Sequence, residues 1–162
     1  MFRAAALALA TGCGCNSSPL LSNTHPSPEA LAAAVLGAVE QRDTTALRGL
    51  ALSEEEFREH VWPELPAARP ERNLPFSYVW GDLRQKSDES LGRMLTSHGG
   101  RKYTLISVRN TGETTRYPSY TVSRETALMI RDETAAQREL RLFGSIIQKD
   151  GGWKVFSYVV DD

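Results

Sequence analysis

The chain has 162 residues, which is enough for one domain with a sizeable core and leaves little room for a second. Hydrophobic residues make up 41% of the chain and charged residues 24%, the composition of an ordinary globular protein. With 19 basic and 20 acidic side chains the formal net charge is -1, so the composition gives no general electrostatic attraction to nucleic acid.

The beginning of the chain has the features of a targeting segment. Arg3 provides a positive charge, and the run AAALALA at residues 4–10 is a short apolar core. The letters ATGC at residues 10–13 resemble the lipobox of bacterial lipoproteins, in which a small residue precedes a cysteine that is acylated and becomes the new N-terminus. Ala10 departs from that pattern, because the lipobox usually has Leu there. The resemblance implies a lipid anchor, palmitate for example, on Cys13.

This resemblance implies a domain plan and a location. Residues 1–12 are a signal peptide, residues 13–26 a lipidated flexible tether, and residues 27–162 a single folded domain. The tether is rich in Ser, Asn and Pro and has no hydrophobic periodicity, as in a flexible linker. We therefore expect an extracytoplasmic protein held on a bacterial membrane by its N-terminal lipid.

Two other interpretations of the N-terminus stay open. The letters ALA at residues 8–10 form an A-x-A cleavage site, which predicts a secreted or periplasmic protein without a lipid. Alternatively, the chain is cytoplasmic and its start is misassigned. Cys13 and Cys15, the two cysteines of the chain, are too few for a structural zinc site and too close for an unstrained disulfide. The sequence predicts no cofactor and no metal.

The letters SPEALAAAVLGAVEQRD predict the first helix of the domain. Ser27 suits the N-cap and Pro28 the first helical position. A second, short helix is predicted at residues 44–50. The first helix carries an apolar stripe at helical spacing, formed by Leu31, Ala34, Val35, Ala38 and Val39.

A third helix start is indicated by Ser53 and Glu56, which have the spacing of a capping box. We interpret the acidic residues there as a solvated face that the helix dipole favours. Glu56 and His60 share a helix face and could hold a metal ion, but this spacing is common by chance, so no site is predicted. Pro63 ends the helix, and four prolines at residues 63–75 predict an irregular connector.

The longest helical pattern covers residues 76–98 and ends at two glycines. After it the hydrophobic period changes to two, which predicts β-strands. Short connections predict antiparallel pairing, and Pro118 predicts an edge or a bulge. The strand-like segments are residues 102–110, 114–123, 126–132, 138–148 and 153–161.

Helices followed by an antiparallel sheet that ends in GGWKVFSYVV resemble the NTF2-like superfamily, also called cystatin-like and related to SnoaL and ketosteroid isomerase. The resemblance covers residues 28–160 and rests on the order of helices and strands. It is therefore evidence about the fold rather than about the function. It implies an α+β fold in which N-terminal helices pack on a curved antiparallel sheet of four to six strands. The resemblance also implies a cone-shaped pocket between the helices and the sheet.

Polar aromatic side chains are the candidates for lining such a pocket. The ligand-pocket candidates are Tyr78 and Trp80 on the long helix and Arg116 on a strand. The catalytic candidates are Asp82, Tyr103 and Tyr120. In this hypothesis, a buried Asp82 would serve as general base beside a tyrosine. The alternative is that the tyrosines fill a half-buried β surface and Asp82 pairs with Lys86 outside.

The last two strand segments are apolar on both sides, so both sides of the sheet need a cover. In RELRLFGSIIQ, for example, Leu142 and Ile146 lie on one face, and Phe143 and Ile147 on the other. If the helices cover only the concave face, the outer face is a homodimer interface, as is frequent in the NTF2-like superfamily. A packed N-terminal tether is the alternative cover.

The function expected from the sequence is broad. The motifs G-x-G-x-x-G, G-x-x-x-x-G-K-[ST], H-E-x-x-H and G-x-S-x-G are absent from the sequence. We therefore expect a non-catalytic ligand- or protein-binding domain of the cell envelope. The alternatives are a small pocket enzyme (isomerase, dehydratase or hydrolase) using Asp82 with a tyrosine, and a structural envelope protein that dimerises.

The lipid anchor is tested by growing expressing cells with a radiolabelled fatty acid. We expect the label to enter the wild-type chain and the Cys15→Ser variant and to be lost from Cys13→Ser, since only Cys13 occupies the lipobox position. Equal incorporation into the Cys13→Ser and wild-type chains would show that Cys13 is not acylated.

Overall fold

The computed structural model describes residues 20–160, so the predicted signal peptide and Cys13 lie outside the described residues. Four α-helices precede seven β-strands, and the α+β class expected from the sequence is confirmed. No helix in residues 20–160 is both long and apolar enough to cross a membrane. The helices are α1 (Pro28–Gln41), α2 (Thr44–Leu50), α3 (Glu54–Glu56) and α4 (Phe76–His98).

The helix boundaries follow the capping signals of the sequence. The Ser27 hydroxyl accepts a hydrogen bond from the Ala30 amide at 3.1 Å, with Pro28 at the first helical position of α1. The predicted capping box is present at α3, where Ser53 and Glu56 bond each other's backbone amides. Helix α4 covers the predicted 23 residues. Between α3 and α4 the chain forms a π-helical turn, Phe57–Val61, and the 3₁₀ turns Trp62–Glu64, Pro66–Ala68 and Pro70–Arg72.

The strands are shorter and more numerous than the five predicted segments. The segment with Pro118 is a hairpin, because Pro118 sits in a tight turn closed by a 2.8 Å hydrogen bond from the Tyr117 amide to the Tyr120 carbonyl. Pro118 thus lies between two strands rather than within one, and β2, which leads into it, is an edge strand of its sheet, as the sequence predicts. The strands are β1 (Thr104–Asn110), β2 (Thr114–Arg116), β3 (Thr121–Ser123), β4 (Thr126–Arg131), β5 (Gln137–Leu140), β6 (Ser145–Lys149) and β7 (Gly152–Ser157).

The strands form two antiparallel sheets rather than one, with the orders β1-β4-β5 and β2-β3-β6-β7. Three chain segments pass from one sheet to the other, through breaks at residues 111–113, 124–125 and 141–144. The breaks lie side by side, since the Thr111 amide bonds the Glu125 carbonyl and the Thr126 amide bonds the Gly144 carbonyl, both at 3.0 Å. The result is a sharply bent surface.

Each half of the bent surface has its own apolar core. The first core joins α1, α2 and the second half of α4 to the strands, with Leu31, Leu91 and Ile146 among its members. The second core lies on the other face of β3, β6 and β7. Its buried members come from distant parts of the described chain and are Leu21, Leu52, Phe57, Val61, Trp80, Tyr120, Val122 and Ile147. The outer face of this half-sheet is therefore covered from within the same chain.

The residues just before α1 pack against the domain, although the sequence predicts a flexible tether over residues 13–26. Leu21 is buried in the second core, and His25 pairs with Trp153 at the edge of β7 through two hydrogen bonds of 2.9 and 2.8 Å. From Leu21 onward, the predicted tether belongs to the domain, because it covers apolar surface and satisfies an exposed strand edge.

A buried ion pair joins this segment to α3 and β7. The Lys154 ammonium, 1% exposed, donates to Glu56 Oε1 at 2.9 Å and to the Ser22 carbonyl at 2.8 Å. The Glu56 carboxylate also accepts from the amides of Ser22 and Ser53. Burial would raise the pKa of Glu56, but the hydrogen bonds from Ser53, Lys154 and Ser22 hold that pKa below its ordinary value. The interpretation of Glu56 as a solvated side chain is wrong.

Removing the cation of this pair strongly destabilises the fold. We expect Lys154→Met to lower the free energy of unfolding by about 3 to 5 kcal/mol, because it leaves a buried carboxylate without its counterion. The double variant Glu56→Gln/Lys154→Met keeps the capping box and removes the charge, so it recovers part of the loss. Urea denaturation measures both values. A loss below about 1 kcal/mol in the single variant would contradict the structural role.

The same pair makes stability depend on pH in the acid range. Because the pKa of Glu56 is lower in the folded chain than in the unfolded one, its contribution is complete above about pH 4.3 and declines as the pH falls through the folded value. The stability difference between wild type and Glu56→Gln should therefore shrink on acidification. Asp82→Asn, in an exposed pair with Lys86, is the control and should differ little from wild type throughout. A pH-independent Glu56→Gln difference would contradict the assignment.

Candidate functional site

A cleft of about 370 Å³ lies between the first half of α4 and the face of the half-sheet β2-β3-β6-β7. It is open to solvent on one side and falls within the size range of small-molecule sites. Its walls are largely apolar, contributed by Phe57, Leu65, Val79, Leu83, Val122 and Phe156. Leu65 belongs to the proline-rich connector, which therefore forms part of the rim.

The polar groups of the cleft lie on its two sides. On α4, the Asp82 carboxylate and the Lys86 ammonium form an ion pair of 2.8 Å, with side chains 50% and 59% exposed. On the sheet side, Arg124 lines the cleft together with Ser145 and Ser157. Within residues 20–160, Arg124 makes no ion pair, so its guanidinium is available to a ligand.

Asp82 is the one weak catalytic candidate that the structure places at this cleft. It sits on the rim in a solvent-exposed pair with Lys86, as the alternative interpretation of the sequence expected. An exposed, paired carboxylate has the environment of an ordinary surface acid. The desolvation that a general base at this position would need is therefore missing.

The two tyrosine candidates lie in different cores and do not meet Asp82 in the cleft lining. The Tyr103 hydroxyl is 3.0 Å from His98 Nδ1, at the far end of α4. The Tyr120 hydroxyl donates to the Val61 carbonyl at 3.1 Å, and burial raises the pKa of Tyr120 far above its ordinary value. Both side chains are buried and hydrogen-bonded, which is a structural role.

The three ligand-pocket candidates do not line the cleft either. Tyr78 is 66% exposed on the outer side of α4, and Arg116 is exposed at the end of β2. Trp80 is buried behind the cleft, with its ring centroid 5.2 Å from that of Phe57. The apolar stripe of α4 continues through Val79 and Leu83, and these are the apolar residues of α4 that line the cleft.

The pocket candidates predicted from the sequence do not include Tyr117 and Arg124, which line the cleft. Tyr117 lies in the turn between β2 and β3, and Arg124 lies in the break after β3, so both fall outside the strands that a period-two pattern describes. Phe156 lies at the cleft because that face of β7 is apolar, a signal that was present in the sequence but was assigned to a dimer interface.

Metal binding has no support in the described part of the chain. Residues 20–160 contain no group of three or more His, Cys, Asp or Glu side chains that could hold an ion. Glu56, considered above with His60, is committed to Lys154, Ser22 and Ser53.

Comparison of the chain with protein-family models, with curated proteins and with solved structures finds no match. The functional argument therefore rests on the geometry and chemistry of the cleft.

Proposed function

We propose that this protein is a non-catalytic binding protein of the bacterial cell envelope whose ligand occupies the cleft between α4 and the half-sheet β2-β3-β6-β7. The observation that carries the proposal is the cleft itself, with a volume of about 370 Å³ and a largely apolar lining. Apolar walls with a few polar groups at the edges are typical of small-molecule sites. The walls favour a ligand with a substantial apolar part.

Binding is favoured over catalysis by the positions of the charged groups. The Asp82 carboxylate of the cleft is half exposed and neutralised by Lys86, so it lacks the environment of a general base. A small pocket enzyme using Asp82 with Tyr103 or Tyr120 would need groups that lie together, whereas these tyrosines are bonded elsewhere. The enzyme alternative accordingly has less support than binding.

We place the domain outside the cytoplasm on a lipid anchor at Cys13, as the lipobox resemblance implies, and assign it to the NTF2-like folds. The bent antiparallel surface with helices packed against it supports the fold assignment. Because Leu21 is already buried in the domain, only residues 14–20 link it to Cys13. Seven extended residues reach about 25 Å, so an anchored domain would stay close to the membrane surface.

A homodimer through the outer sheet face stays a prediction, and with it the alternative of a structural envelope protein. One half of that face is covered within the chain by the second core, including Leu21 and Phe57. A dimer would therefore have to use the other half, the sheet β1-β4-β5, where Ile106 is 44% exposed.

The cleft is tested with a neutral fluorescent apolar probe, N-phenyl-1-naphthylamine. We expect saturable binding to the wild-type chain and at least about tenfold weaker binding to Val79→Trp, because the larger side chain fills the cleft. Gln85→Trp places the same side chain on α4 at a position that does not line the cleft and should bind as wild type does.

Thermal unfolding of each variant checks that the fold is retained. Leu65→Trp fills the cleft from the proline-rich connector and replaces Val79→Trp should that variant fail to fold. Absence of saturable binding to the wild type, or equal binding to the cleft-filling variant and to Gln85→Trp, would overturn the proposed function.

A further inference from the structure

Resting on the proposed function, we propose that the ligand of the cleft is a single-chain amphiphile with an anionic head group. Its apolar chain lies between α4 and the half-sheet, and its head group is bound by Arg124 and Arg141.

The geometric basis is a second pocket that adjoins the cleft. This pocket, of about 120 Å³, is more polar than the cleft and is lined in part by Arg124, Arg141 and Ser145. Arg124, Ser145 and Val159 line both spaces, so the polar pocket lies next to the cleft at these residues. A molecule lying in the cleft would therefore place its end beside two guanidinium groups.

The electrostatic basis is the state of these two arginines. Arg124 makes no ion pair within the described residues 20–160. Among the residues that the structure describes, the ion-pair partner of Arg141 is Glu139 at a long distance of 3.9 Å, and that carboxylate also bonds Arg109 at 2.9 Å. Arg141 is thus weakly compensated. Both cations can accept an anionic partner without first breaking a close ion pair.

Within the described residues 20–160, the acidic side chain that lines the polar pocket is Glu125, whose carboxylate accepts a long hydrogen bond of 3.5 Å from the Thr111 hydroxyl. Its single negative charge offsets one of the two arginines. Asp82, on the opposite wall of the cleft, is neutralised by Lys86. Counted over the described residues that line it, two arginines and one glutamate, the polar pocket has an excess of one positive charge, whereas the end of the cleft near Phe57 and Leu65 is apolar.

This asymmetry selects the chemistry of the ligand. Guanidinium groups bind carboxylates and phosphates through paired, charge-assisted hydrogen bonds, and two Ser hydroxyls, Ser145 and Ser157, can add neutral ones. A fatty-acid carboxylate and an alkyl phosphate share the required oxyanion. A neutral or cationic amphiphile with the same chain lacks it.

The test compares four probes with one chain length by calorimetric titration of the full chain below the micelle concentration: dodecanoate, dodecyl phosphate, dodecanol and dodecyltrimethylammonium. We expect at least one anion to bind about tenfold or more tightly than dodecanol, and the cation to bind most weakly. The tighter of the two anions identifies the head group. High salt should reduce the anion preference.

Variants separate the head-group site from the apolar cleft. Arg124→Gln, and Arg141→Gln as a second variant, should weaken the anion about tenfold and leave dodecanol unchanged. Arg116→Gln removes an exposed arginine that lines neither space and should behave as wild type. Dodecanol and both anions binding equally would overturn the anionic head group and leave the cleft proposal intact. Failure of all four probes would count against the proposed function itself.

Discussion

The buried ion pair between Glu56 and Lys154 is the interaction on which the geometry of the cleft depends. A lysine that is 1% exposed is tolerated only with a counterion and further hydrogen bonds, and Glu56 and Ser22 supply them. The pair fixes three remote parts of the chain to one another. Phe57 directly follows Glu56, and Phe156 lies two residues after Lys154, so the same contact sets the position of two walls of the cleft.

The second constraint is the set of adjacent breaks at residues 111–113, 124–125 and 141–144. These breaks divide the strands into two sheets. At Gly144 a side chain would be impossible, because a Cβ there would lie 1.7 Å from the Val159 carbonyl oxygen. This close approach lets the end of the chain cross the break. Val159 lines both the apolar cleft and the polar pocket, and Arg124 does so as well, so the two spaces are neighbours. The breaks between the two sheets therefore place a polar pocket beside the apolar cleft.

Local signals in the sequence predicted the helices well, because capping and periodicity act within a few residues. The bounds of α4 and the capping box at Ser53 are examples. The burial of Glu56 could not be predicted from such local signals, because its partner Lys154 is 98 positions away in the sequence. The strand bounds were harder to predict for a related reason. The segment at residues 114–123 is a hairpin with Pro118 in its turn, and the turn depends on contacts between two strands rather than on periodicity within one.

The distribution of charge is the physical reason for which we propose binding rather than catalysis at this cleft. Among residues 20–160, Glu56 and Lys154 are the charged side chains that are buried, and their hydrogen bonds are directed at each other and at the backbone. The charges around the cleft are exposed instead, with Asp82 paired and Arg124 unpaired. Exposed charges of this kind orient and hold a ligand, whereas proton transfer near neutral pH needs a group whose pKa burial has shifted. Burial of charge thus stabilises the architecture, and the exposed charges beside the cleft agree with the binding role that we propose.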